Sequence, residues 1–134
     1  MIVTGHDASG RLLFTLETTN PDDIPLNFPD GWLEGHHEPD TVYAVNGQPT
    51  PRPALSLPAP VATVGADWTV QGVPAGTTFS INGVLQKDEN NENLPLVIED
   101  GWMVLIFPMA GAWEVELHPP FPWREATCIV EVTS

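Results

Sequence analysis

The residue types most able to do chemistry gather between positions 34 and 40, where two adjacent histidines lie among three acids. Histidine and carboxylate side chains are common metal ligands, but a zinc ion needs three or four ligands that converge on it. His36 and His37 would point to opposite sides of an extended strand, and the HExxH spacing is absent. The pattern therefore predicts a solvated, locally hydrogen-bonded loop and no metal site.

A second polar run, residues 88–93, carries oxygen ligands of the kind that calcium prefers. It lacks the central glycine and the terminal bidentate glutamate of an EF-hand loop, so an exposed, mobile loop is expected, with calcium binding as the alternative. No G-x-S-x-G nucleophile elbow and no Gly-rich phosphate loop occur, and His6 and His118 stand alone. We therefore expect a protein that is not an enzyme and that holds no cofactor.

Aromatic residues offer a different kind of chemistry, the binding of sugars. The chain has five tryptophans, and flat aromatic side chains exposed on a sheet can stack on sugar rings. The best candidate surface is Pro120, Phe121 and Trp123, because the surrounding prolines hold this segment stiff between two strands. The alternative is that Phe121 and Trp123 bury themselves and cap the domain, as large aromatic side chains usually do.

The charge balance limits the possible partners. The chain has 18 acidic and 4 basic residues, a formal net charge of −14 at pH 7. Contacts with nucleic-acid phosphates require lysine and arginine, so no nucleic-acid partner is expected. The acids are spread along the chain, which favours a solvated, self-repelling surface. An acidic mimic of DNA that blocks a host nuclease is an alternative suggested by the same charge.

The elements that must position these residues are strands. Residues 2–4 and 12–16 flank a turn-forming segment and predict a hairpin, with Leu12, Phe14 and Leu16 on its buried face. Residues 18–31 contain three prolines and three aspartates and are expected to be irregular. Short strands are predicted at 32–37, which begins with Trp32, and at 41–45, which contains Tyr43 and ends at an Asn-Gly turn.

Prolines divide the chain into parts. They recur through residues 48–60 and favour polyproline II, so this segment is predicted to be a semi-rigid connector. An N-terminal β unit then covers 1–47, and an Ig-like antiparallel β-sandwich covers 61–134. A β unit of about 45 residues has too little core to stand alone. We therefore expect an interface, completed by the C-terminal domain or by another subunit, at Leu12, Phe14, Leu16, Trp32 and Tyr43.

The most apolar run, residues 101–108, is predicted to be a strand at the centre of the sandwich. Both of its faces are apolar, so both are expected to be covered. The strand at 112–118 alternates apolar and acidic residues, and the two strands together are predicted to form a hairpin. Cys128 is expected to be an inert thiol in the core. Further strands are predicted at 61–64, 68–73, 78–82, 84–86, 96–99 and 127–133.

Targeting signals are absent from the sequence pattern. No basic segment leads into an apolar one as in a signal peptide, and no apolar run reaches the roughly 20 residues that a membrane helix needs. We expect synthesis in a host cytoplasm and no membrane insertion.

Three segments resemble small accessory proteins of tailed-bacteriophage virions. They are residues 43–54, residues 74–83, which also look like a PEGA or bacterial Ig-like repeat, and residues 111–121 with the strand after them. The resemblance implies a short N-terminal β unit, an Ig-like C-terminal domain and no catalytic residues.

It also implies a structural role in a virion, at the tail tip, beside a tail fibre or on the capsid surface. The expected partners are other virion proteins, with homo-oligomers included, and a host-surface glycan if the protein is instead a carbohydrate or bacterial-surface binding module.

Overall fold

Alternating apolar residues and Gly-containing turns give a chain whose regular secondary structure is almost all strand, so the predicted all-β fold class is confirmed. The structure, a computed structural model, describes residues 1–134. The chain divides into two units, Met1–Pro53 and Ala54–Ser134, which are described separately. The structure contains no helix with the length and apolar character needed to cross a membrane.

The first unit holds a three-stranded antiparallel sheet, in the order β2-β1-β3, and a separate hairpin of β4 and β5. The Asn46-Gly47 turn of that hairpin has positive φ at both positions, 50° and 75°, as the Asn-Gly pair predicts. The elements are β1 Ile2–His6, β2 Leu12–Glu17, α1 Asp23–Asn27, β3 Trp32–Glu34, β4 Val42–Val45 and β5 Gln48–Pro51.

A β-bulge in the first hairpin corrects the predicted buried face. Thr4 pairs with Thr15 but His6 pairs with Leu12, so β2 carries one extra residue. The side chains of Leu12 and Leu16 therefore lie on opposite faces of the sheet, although strict alternation would place them together. On one face Leu12 packs with Leu33 and Ala44; on the other, Leu16 packs with Val3, Ile24 and Phe28.

The segment 18–31 is not wholly irregular, because it contains the helix α1. Pro25 lies in the first turn of this helix, where a missing backbone N–H costs nothing. Its one buried residue, Ile24, packs with Val3 of β1 and with Phe28, which is completely buried. Burying these apolar side chains stabilises a helix that is too short to be stable alone.

The prediction of a connector over the whole of 48–60 is wrong at its start. Gln48–Pro51 is strand β5 and pairs with β4 from Val42 to Val45. Proline is tolerated there because alternate backbone N–H groups of a two-stranded ribbon point away from the partner strand. The first unit consequently extends to Pro53 rather than ending at residue 47.

The second unit places a five-stranded sheet and a two-stranded sheet around one core. The order of the larger sheet is β6-β14-β13-β8-β9, in which only β6 and β14 are parallel. The smaller sheet pairs β12 with β7, and β10 with β11 forms a separate ribbon. The strands are β6 Val61–Thr63, β7 Asp67–Gln71, β8 Thr78–Ile81, β9 Val84–Leu85, β10 Lys87–Asp88, β11 Asn91–Pro95, β12 Trp102–Ile106, β13 Gly111–His118 and β14 Ala126–Thr133.

The predicted central hairpin of residues 102–107 and 112–118 is wrong. β12 pairs with β7, whereas β13 pairs with β8 and β14, so the chain crosses from one sheet to the other after Phe107. The crossing brings the apolar faces of both strands into one core. The alternation of apolar and polar residues would be the same if the two strands paired side by side in one sheet, so it does not show which arrangement occurs. The shared core contains Trp68, Val70, Met103, Leu105, Phe107, Phe79, Val115, Leu117, Val130 and Val132.

Two smaller predictions also fail in this unit. The expected loop at 88–93 lies within the ribbon of β10 and β11. The expected strand at 96–99 makes only an isolated bridge between Thr77 and Ile98. Cys128 lies partly buried against the core, as predicted, and burial raises the pKa of its thiol.

Candidate functional site

The two adjacent histidines lie after β3 and point to different partners. His36 lies between Thr15 Oγ1 and Glu38 Oε1, at 2.8 Å from each. His37 Nε2 lies 2.8 Å from the backbone oxygen of Glu34. No group of three or more histidine, cysteine or acidic side chains in residues 1–134 converges as metal ligands do. The arrangement is a hydrogen-bonded turn.

Three residues that the sequence separates by up to 45 positions meet on the outer face of the five-stranded sheet. Ser80 Oγ lies 3.0 Å from His118 Nε2, and Glu125 Oε1 lies 3.4 Å from His118 Nδ1. This is the order of groups in a Ser-His-acid triad. Sequence reasoning missed it because only the pairing of Ser80 with Glu116 across β8 and β13 brings the residues together.

The surroundings of Ser80 do not suit a nucleophile. Ser80 is only 7% exposed and lies in a strand, β8, that is paired on both sides, with β13 and with β9. An oxyanion hole needs backbone N–H groups aimed at the reacting carbonyl, and such groups are used here in the sheet. Glu116 Oε2 also lies 3.9 Å from His118 Nε2. We interpret the group as a cross-strand polar cluster.

The acidic residues occupy both outer faces of the second unit. Glu114, Glu116 and Glu131 alternate away from the core on β13 and β14. Asp67 lies at the exposed end of β7 in the opposite sheet. A DNA mimic would gather its carboxylates on one surface, so this distribution does not favour that alternative.

The five tryptophans differ in exposure. Trp68 is buried and its indole N–H donates to the backbone oxygen of Ala59 at 3.0 Å. Trp113 and Trp123 are half-buried. Trp32 and Trp102 are the exposed ones, at 39% and 49%. Two indoles therefore present area that a ligand or partner protein could cover.

The predicted sugar-binding loop is compact. Pro120 is exposed, but Phe121 and Trp123 are half-buried, and the peptide bond between Phe121 and Pro122 is cis. The backbone N–H of Trp123 donates to the oxygen of Pro120 at 3.0 Å and closes a tight turn. The loop thus combines an exposed proline with aromatic rings that are partly covered.

The five residues of the predicted N-terminal interface do not form one surface. Leu12 is buried, Leu16 and Tyr43 are half-buried, and Phe14 is 52% exposed although its ring lies 4.7 Å from that of Phe28. Trp32 lies on β3 at the edge of the sheet, next to β1 and away from β2. The bulge in β2 is the reason that Leu12 leaves the face of Phe14 and Leu16.

An uncovered apolar row lies on β12. Met103 and Leu105 face the core, whereas Trp102, Val104 and Ile106 face outward, with Ile106 60% exposed. The expectation that both faces of this strand are covered is therefore wrong within the second unit. The paired residues of β7 on the same face are Gln71, Thr69 and Asp67. We call Trp102, Val104 and Ile106 the β12 row.

A groove follows the open edge of β3 in the first unit. It has a volume of about 430 Å³ and is lined by β3, by His37 and by the start of β5 at Gln48 and Pro49. A smaller groove of about 290 Å³ is lined by His6, Asp30 and Gly31. Trp32 and Gly47 line both, so the two grooves adjoin at these residues. We call the pair the Trp32 groove.

No protein-family model, no curated protein and no solved structure matches this chain.

Proposed function

We propose that this protein is a non-enzymatic structural component of a bacteriophage virion, associated with the tail tip or a tail fibre, or decorating the capsid. The observation that carries the proposal is the β12 row. An apolar strand face left open in a domain with a well-formed core is typical of a surface that another protein covers. The assignment to a phage rests on the resemblance of residues 43–54, 74–83 and 111–121 to small accessory proteins of tailed-bacteriophage virions.

The charge of the protein indicates what the covering partner looks like. Asp67 pairs with Ile106 at one end of the β12 row, and Glu99 and Asp100 precede Trp102 at the other. Two copies of a chain with a net charge of −14 repel one another unless the charges are kept apart. The better partner is another virion protein with an apolar ridge bordered by lysine or arginine.

Mass spectrometry of purified particles tests this proposal. The particles come from the phage whose genome encodes the chain, and particles lacking the gene serve as the blank. We expect peptides of the protein in the first sample only. Their absence from intact, fully assembled particles contradicts a virion role.

A pair of substitutions tests the β12 row itself. Ile106→Lys places a charge in the row, and Ile129→Lys places one on the outer face of the other sheet, where Ile129 is similarly exposed at 55%. We expect Ile106→Lys to abolish incorporation into particles and Ile129→Lys to leave it unchanged. Equal incorporation of both variants would show that the β12 row is not the docking surface.

Carbohydrate or bacterial-surface binding is the second candidate function, favoured by the exposed indoles of Trp32 and Trp102. Exposed aromatic faces bind the apolar faces of sugar rings while nearby polar groups bind the hydroxyls. Labelled protein applied to a glycan array tests it. We expect binding to a restricted set of glycans, and silence across the array contradicts it.

A further inference from the structure

The polar groups around Trp32 have no partner in the chain. The exposed side chains of Trp32, Asp30, Glu34 and Gln48 form no hydrogen bond or ion pair with another residue, so their polar groups face solvent. These groups line the Trp32 groove, whose larger part, about 430 Å³, falls in the range of about 300–1,000 Å³ typical of small-molecule sites. An exposed aromatic plane with unused hydrogen-bonding groups on both sides is suited to a ligand.

We propose that the Trp32 groove binds a neutral pyranose sugar, with the indole as the stacking surface. This inference rests on the second candidate function, surface glycan binding, and names its site. Trp32 and Glu34 are two residues apart on β3 and so project from the same side of the strand. A ring stacked on the indole therefore lies beside the Glu34 carboxylate.

The mixture of donors and acceptors favours hydroxyl groups as the ligand chemistry. A sugar hydroxyl both donates and accepts: in the larger part of the groove it can donate to the Glu34 carboxylate and accept from the N–H of the Gln48 amide. A cationic ligand, such as a lysine side chain or choline, can use the indole face and the carboxylates. A lysine ammonium can donate to the oxygen of the Gln48 amide but gives the amide N–H no acceptor, whereas a sugar hydroxyl can bind both.

Charge excludes the acidic sugars. Asp30 and Glu34 lie on the lining of the Trp32 groove, and the chain has only 4 basic residues against 18 acidic ones. A sialic acid or uronic acid carboxylate would meet like charges at the groove with no lysine or arginine to pair with, since none lines it. The ligand class is therefore a neutral hexose or a neutral oligosaccharide.

The walls of the groove are held in place by the fold. β3 is bonded to β1, and the backbone N–H of His37 donates to the buried Thr4 hydroxyl at 3.1 Å. On the opposite wall, the Asn46-Gly47 turn fixes the start of β5. A groove that is already formed binds a ligand without the cost of ordering its walls.

Saturation-transfer NMR on the full chain tests the site. The probes are the methyl glycosides of glucose, galactose, mannose and N-acetylglucosamine, with sialic acid and choline chloride beside them. The variants are Trp32→Ala, the isosteric Glu34→Gln, and two matched controls, Trp102→Ala and Trp123→Ala. Glu34→Gln keeps the size of an exposed side chain, so it tests the site even if Trp32→Ala fails to fold.

We expect transfer to at least one neutral glycoside and none to sialic acid. Trp32→Ala abolishes the signal, Trp102→Ala and Trp123→Ala keep it, and Glu34→Gln weakens affinity roughly tenfold through the loss of a charge-assisted hydrogen bond. Sugar binding that survives both groove variants but is lost with Trp123→Ala overturns this site and leaves the glycan-binding function standing. Absence of transfer to any sugar overturns both, and binding of choline in place of sugars overturns the ligand class.

Discussion

At the scale of single residues, Gly5 shows how closely the first unit is packed. A Cβ added to Gly5 would lie 1.8 Å from Cδ1 of Phe28, which is completely buried. No real side chain fits at that distance, so β1 approaches the Phe28 ring only because residue 5 has no side chain.

We predict that Gly5→Ala destabilises the protein by about 1–3 kcal/mol, the usual cost of overpacking a core. Urea denaturation followed by circular dichroism measures the change. Gly47→Ala is the control, since its Cβ meets nothing within 4 Å and only its positive φ of 75° is strained. The double variant Gly5→Ala/Phe28→Leu should recover part of the lost unfolding free energy. If it does not, the destabilisation does not come from a clash with the Phe28 ring.

A carboxylate pair on the outer face of β13 makes stability depend on pH. A hydrogen bond with Glu116, the repulsion between the two charges, and desolvation raise the pKa of the Glu114 carboxyl above its ordinary value of 4.5. The folded protein thus holds the proton more tightly than the unfolded chain. This contribution to stability is present below pH 4.5 and is lost as the pH rises through the folded pKa.

We predict that Glu114→Gln raises the melting temperature at pH 7 and changes it little at pH 4, where the native carboxyl is already protonated. Thermal scans at both pH values measure the difference. Glu131→Gln, on the same outer face in β14, is the control for removing one negative charge. An equal effect of Glu114→Gln at both pH values would contradict the linkage.

At the scale of elements, β12 has one face in the core and one face open. Leu105 is 9% exposed and belongs to the shared core, whereas its neighbour Ile106 is 60% exposed. The two residues are alike in size and polarity, so only the direction in which the strand presents them sets their roles.

We predict that Leu105→Ala costs about 2–5 kcal/mol of unfolding free energy through the cavity it leaves. Ile106→Lys should change stability by no more than about 0.5 kcal/mol, as exposed substitutions usually do. Chemical denaturation of the two variants gives both values. A large loss with Ile106→Lys would mean that the β12 row contributes to the fold of the isolated chain.

The elements also show what the sequence could and could not predict. Alternation located most strands, and the Asn-Gly pairs at Asn46 and Asn82 located two tight turns with positive φ. Alternation gives the faces of a strand but not its neighbours, so it missed the crossing between β12 and β13. It also assumes an unbroken register, so the bulge in β2 separated Leu12 from the face assigned to it.

The candidate site was harder to predict than the fold. The prolines around Trp123 predict a sugar-binding surface at that residue. The most exposed indoles, however, are those of Trp32 and Trp102. The Trp32 groove depends on Gly47 and Gln48 lying beside β3. That proximity follows from the position of the β4–β5 hairpin, whose turn residue Gly47 comes 13 residues after the end of β3 at Glu34. No local sequence pattern contains it.

At the scale of the whole molecule, charge is the dominant feature. A net charge of −14 is spread over both units and over both sheets of the second unit. Only 4 basic residues are present to offset it. Self-repulsion of this kind opposes compaction of the folded chain.

We predict that salt stabilises the protein. Raising sodium chloride from about 0.01 M to about 1 M shortens the Debye length from about 30 Å to about 3 Å and screens the repulsion. The melting temperature, measured by scanning calorimetry, should rise over this series. A melting temperature that falls with salt would contradict the role assigned to charge.

The position of β14 inside its sheet decides when the sheet can form during synthesis. It is the last strand along the chain, yet it lies between β6 and β13. While the chain leaves the ribosome, β6 emerges early but has no neighbour, and β13 presents an unpaired edge until Thr133 is released. The second unit is therefore completed only after β14 has been synthesised, and until then its open edges need protection from other nascent chains.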